Sequence, residues 1–130
     1  MATLLAENPK LKERAEEELS KFFVLAGNGV NDLKMPKGII DEVWHEKLND
    51  QESYTQFCNN TAGCYVEHIK EEGKGNLSWV TNYEEKFGKL DSTWFMDKQG
   101  QVNKEKLDNY SKSGKVSMEW GCGPIMPTQD

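Results

Sequence analysis

The chain is expected to fold as a mainly α protein: a compact helical domain with a small β-hairpin or strand element toward the C-terminus. Three observations predict this. Apolar residues recur at three- and four-residue spacing through the first half of the chain. Asn8-Pro9 and Asp50 stand where helix N-caps are needed, and Gly27, Gly63 and Gly88 stand where helices must stop. Alternation of apolar and polar residues is confined to Val116, Met118 and Trp120, near the C-terminal end.

The first helix is predicted from Pro9 to about Gly27, with Leu11, Ala15, Leu19, Phe22 and Phe23 on its inner face. Pro36 is expected to open a second helix that runs to about Leu48, carrying Ile39, Ile40, Val43, Trp44 and Leu48 inward. Asp50 then caps a third helix, Gln51 to Ala62, with Tyr54, Phe57, Cys58 and Thr61 on one side. The connection between these two helices is short, so they are expected to pack as a hairpin. Cys64 to Ile69 reads as a brief extended segment or last turn, and Glu71 to Asn76, with two glycines, as a loop. A fourth helix starts at Asn76 or Ser78 and buries Leu77, Val80, Tyr83 and Phe87. Trp94-Phe95-Met96 and Gln101-Val102, around Asp97-Lys98-Gln99-Gly100, suggest a small hairpin. Asn103 caps a short helix to about Ser111, and residues 114–130 form a C-terminal strand and tail.

With 130 residues, the chain is read as one helical domain, 1–130, able to bury about two-thirds of its unfolded surface without staples. Its four Trp, four Tyr and five Phe, beside 29% charged residues, exclude a disordered chain. A net charge of -6 argues against a nucleic-acid partner, because binding phosphates needs a basic surface. No apolar run approaches the ~20 residues of a membrane span, and the N-terminus lacks the pattern of a secretory signal. Three cysteines, an odd number without framework spacing, are expected as reduced thiols. Together these features lead us to expect a cytoplasmic protein with no membrane partner.

Chemistry concentrates in one stretch. Both histidines and two of the cysteines fall between residues 45 and 68: His45, Cys58, Cys64 and His68. Imidazole and thiolate are the donors zinc prefers, and a structural site takes four of them. His45, Cys58 and His68, with Cys64 or the distant Cys122, make that number, and Cys122 is the choice for the candidate set. The competing reading is two capping or surface histidines and small core cysteines. On the helical wheel, His45 lies away from the apolar centre at Val43 and Trp44 and beside Asp41 at i, i+4. Asp41 could hold the imidazole from behind a metal, as outer carboxylates do, or form a simple exposed pair. A catalytic thiol at Cys58 would need a partner base, and no oxyanion hole or nucleophile turn is legible. Trp79, Trp94 and Trp120 with Met96, Met118 and Met126 are either an aromatic binding surface or core.

The segment Ile40-Asp41-Glu42-Val43-Trp44-His45, followed by Tyr54, Phe57-Cys58, Gly63 and His68, resembles the glycine-rich domain-containing proteins of bacteria and plants. Tyr83-Glu84, Phe87-Gly88 and Trp94 resemble that family's continuation, so the likeness covers about residues 36–95. The glycine-rich region itself is absent. By this resemblance Asp41, His45, Cys58 and His68 are the positions carried over. The family often has a second histidine two positions after the first, where this chain has Lys47. A site using that histidine would here be incomplete, or rebuilt from Cys122.

Two functions are therefore expected. The first is a small intracellular module without catalytic activity that binds a protein partner or regulates it. The second is a zinc-type domain, structural or hydrolytic, built on His45, Cys58, His68 and Cys122 with Asp41 behind them.

Overall fold

The computed structural model describes residues 8–126. Helix α1 (Pro9–Gly27) starts where Oδ1 of Asn8 accepts the Leu11 N–H at 3.2 Å, a cap worth about 1 kcal/mol. Its inner face buries Leu11, Ala15, Leu19, Phe22 and Phe23. Helices α2 (Ile39–Lys47), α3 (Gln51–Thr61) and α4 (Val80–Phe87) pack on α1. Asp50 caps α3 through Ser53 N, and Asn103 caps α5 (Lys104–Ser113) through Lys106 N, each at 3.1 Å.

The mainly α expectation is overturned. The helices are joined by a three-stranded antiparallel sheet, and the fold is mixed α/β. Strands β1 (Met35–Pro36), β2 (Glu67–Asn76) and β3 (Ser117–Ile125) lie in the order β1-β3-β2, so the last strand of the chain takes the middle place. The stretch Glu67–Asn76 conceals its strand because it is an outer strand whose residues are exposed or half-buried. Without a buried face it shows no apolar alternation. Its partner, β3, lies some fifty positions later, beyond the reach of local pattern.

Two details of the sheet depart from regularity. Lys70 pairs with Cys122 and Gly73 with Trp120, so β2 carries an extra residue there and bulges. The Trp120 indole lies against the bulge, and a Cβ on Gly73 would fall 2.7 Å from its ring atoms. On the opposite edge Met35 pairs with Cys122 and Pro36 with Trp120. Pro36 therefore belongs to an edge strand, where proline is tolerated, and not to the helix it was expected to open. The chain turns at Gly38, where a Cβ would sit 2.3 Å from the Met96 carbonyl oxygen, and α2 begins only at Ile39.

The expected hairpin near residue 97 contracts to one antiparallel bridge, Met96 to Val102, preceded by a 3₁₀ turn at Ser92–Phe95. Helix α4 starts later than expected, at Val80, and α5 runs to Ser113. Of the C-terminal tail, residues 127–130 lie outside the described residues.

An aromatic core joins these layers. Phe22 meets Trp79 edge-on at 5.2 Å, and Trp79 meets Trp94 at 5.0 Å. Glu18, although buried, accepts hydrogen bonds from Trp94 Nε1 at 3.0 Å and from the Tyr83 hydroxyl, and pairs with Lys21. The core fixes α2 by Ile39, Ile40, Val43 and Trp44. That anchoring turns Asp41 and His45 toward β2 and β3.

Candidate metal centre

Four side chains from three elements converge at the end of the sheet. Asp41 and His45 come from α2, one helical turn apart; His68 comes from β2 and Cys122 from β3. One potential donor atom from each lies within 4.8 Å of every other. Nε2 of His45 is 3.1 Å from Nε2 of His68. Cys122 Sγ donates to Asp41 Oδ1 at 3.0 Å, and that oxygen is 3.7 Å from His45 Nε2. In a tetrahedral zinc site the donor-to-donor edges are roughly 3.3–3.6 Å, from bond lengths near 2.0–2.3 Å. Three edges of the cluster, at 3.0, 3.1 and 3.7 Å, lie close to these values, all donors lie within 4.8 Å of one another, and the group could hold a metal ion once its donors draw together.

The local sequence explains the convergence. An i, i+4 spacing puts Asp41 and His45 on one side of α2. Residues opposite one another in an antiparallel pair project to the same side of the sheet. His68 is opposite Pro124, two positions along β3 from Cys122, so His68 and Cys122 share a side. Burial is graded across the group. Cys122 and Asp41 are buried, His68 is half-buried, and the His45 side chain is 46% exposed. The cluster thus has a solvent edge at His45.

The electrostatics act in opposite directions at the two inner donors. Burial, then the neighbouring His45, holds the His68 imidazole below its ordinary value, with Asp41 opposing. A neutral imidazole is the form that binds metal. Burial pushes the Cys122 thiol up, reinforced by its bond to Asp41 and by the carboxylate's charge. The free site therefore holds a protonated thiol, whose proton a metal must displace.

The structure brings together three of the four expected ligands, His45, His68 and Cys122. It does not bring Cys58. That thiol is fully buried one turn after Tyr54 in α3 and belongs to the hydrophobic core. Asp41 takes its place as a potential ligand, where only a supporting role was expected. The signal for this was present in the i, i+4 pair, but the proximity of Cys122 depends on the sheet. Cys64 lies elsewhere, lining a cavity of about 420 Å³ between the ends of α1 and α3. Lys47 bonds Glu16 at 2.8 Å and lies 4.6 Å from the Phe57 ring centroid, outside the cluster. Trp79, Trp94 and Met118 are buried and Trp120 is half-buried, while the edges of Trp94, Met96 and Met118 line a cavity of about 410 Å³ beside Phe95 and Val102.

Among the described residues no helix is long and apolar enough to cross a membrane. Comparison of the chain with protein-family models, curated proteins and solved structures gives no match.

Proposed function

We propose that this chain is a metal-binding domain whose ion, of the zinc type, is held by Asp41, His45, His68 and Cys122. The observation that carries this reading is the convergence of four donor atoms from α2, β2 and β3 within 4.8 Å. One thiolate, one carboxylate and two neutral imidazoles balance the charge of a divalent cation. Such a mixed sulfur, nitrogen and oxygen set suits zinc better than calcium or magnesium, which prefer oxygen alone. Four protein donors complete a tetrahedron, so the ion's role is structural: it fastens α2 to both long strands.

The resemblance to the glycine-rich domain-containing proteins supports this reading at Asp41, His45 and His68. Position 47, where the family often has its second histidine, faces Glu16 and Phe57 and not the cluster, so Cys122 is a donor this chain supplies from β3. Membership of that family is part of the proposal.

Cobalt(II) provides the test, because it takes zinc sites and reports thiolate bonding by a charge-transfer band. The expected result is a tetrahedral cobalt spectrum with a sulfur band that disappears in Cys122→Ala. A spectrum like that of hexaaqua cobalt at saturating protein defeats the proposal.

A further inference from the structure

We infer that Trp44 and Tyr54 are positioning residues for the metal centre and act through His68. This rests on the metal-binding reading proposed above and adds two residues that touch no ion.

Trp44 directly precedes His45 in α2, so the same turn of helix presents one ligand and supports another. The Trp44 and His68 rings meet at 88° with centroids 4.7 Å apart. Rotation of the imidazole about its bond to Cβ would drive it into the indole. The Trp44 contact therefore restricts the plane of the imidazole, the plane in which His68 Nε2 faces His45 Nε2 at 3.1 Å.

Trp44 is itself held on two sides. Phe23 packs edge-on against it, with centroids 5.3 Å apart. Its Nε1–H donates to the Tyr54 hydroxyl at 3.1 Å, and that hydroxyl donates to the Val66 carbonyl at 2.5 Å. Val66 stands two residues before His68, at the entry to β2. A closed path thus runs from α2 through α3 to the backbone that carries His68. Trp44, Tyr54 and Val66 have no exposed surface, so water cannot substitute for a lost partner along it.

Tyr54→Phe keeps the ring and removes the one hydroxyl that joins indole to carbonyl. Cobalt(II) affinity is to be measured from the visible bands, and zinc affinity by competition with a chromophoric chelator. Loss of outer groups that orient ligands typically weakens metal binding 10–100-fold. We expect Tyr54→Phe to raise the cobalt Kd by about 10-fold or more. Trp44→Phe, which removes the indole N–H and part of the ring edge, should act in the same direction and is the second variant if the first folds poorly. Tyr83→Phe is the control. It removes a buried tyrosine hydroxyl that bonds Glu18, on the far side of the core, and should lower stability while leaving the cobalt Kd unchanged.

The outcomes distinguish metal binding from positioning. Wild-type protein that takes up no metal overturns both the metal reading and this inference. Wild-type binding with an unchanged Kd in Tyr54→Phe and Trp44→Phe overturns the inference alone. An equal loss of affinity in Tyr83→Phe assigns the effect to general destabilisation, and the positioning role falls.

Discussion

The Sγ of Cys122 lies 3.0 Å from Oδ1 of Asp41, although 81 positions separate them in the chain. Both groups are buried, and each is the other's polar neighbour. The contact closes the cluster, because it brings the last strand of the sheet onto the second helix. This hydrogen bond fastens the two elements, and in the proposed metal site both atoms would become ligands.

Metal should therefore stabilise the fold. A ligand that binds only the native state at 100 times its Kd adds about 2.7 kcal/mol. Thermal denaturation with zinc and with a chelator should show a higher Tm in zinc for the wild-type chain. His68→Ala should lose that difference. A zinc-induced rise in Tm that survives in His68→Ala would place the ion elsewhere.

Cys58 should behave as a core residue. Cys58→Ala removes a small buried group from α3 and should cost on the order of 1 kcal/mol in denaturant unfolding. Its metal content should equal that of the wild type. A drop in content would return Cys58 to the ligand set.

The helices were legible in the sequence because their signals are local. Asn8, Asp50 and Asn103 cap the helices they were expected to cap, and Leu11 through Phe23 bury the face their spacing indicated. The sheet was hidden for the opposite reason. Residues 67–76 are charged and glycine-bearing, and they become a strand only through pairing with β3. Pro36 resembled a helix start because proline favours a first turn, yet its pairing with Trp120 keeps it extended. Candidate ligands followed the same division. His45 and His68 stood out by residue type, and so did Cys58, although its place beside Tyr54 and Phe57 on the apolar side of α3 already pointed to the core where the structure puts it.

Glu18 offers a test of the core independent of metal. It receives Trp94 Nε1 and the Tyr83 hydroxyl and pairs with Lys21. Glu18→Ala leaves two buried donors unsatisfied. We expect a loss of about 2–4 kcal/mol in chemical denaturation, with no change in metal stoichiometry. A loss below about 0.5 kcal/mol, the range of neutral surface changes, would show that the network contributes little.

Acid stability should depend in part on Asp91. Burial alone would raise its carboxyl, but hydrogen bonds from Thr93 and the Arg14 guanidinium outweigh this and hold it below the ordinary value. A depressed carboxyl contributes stability that is complete above its unfolded pKa, about 4, and is lost as pH falls through the lower folded value. Asp91→Asn should therefore unfold more readily near neutrality and show a shallower decline of stability below about pH 4. Parallel pH profiles for the two proteins would contradict this.

Elemental analysis of untagged protein, purified without chelators and dialysed against metal-free buffer, most directly tests whether the cluster is a metal site. One zinc per chain is expected in the wild type and far less than one in Cys122→Ala. A content near zero in wild-type protein, unchanged after incubation with zinc and removal of the excess, would contradict it.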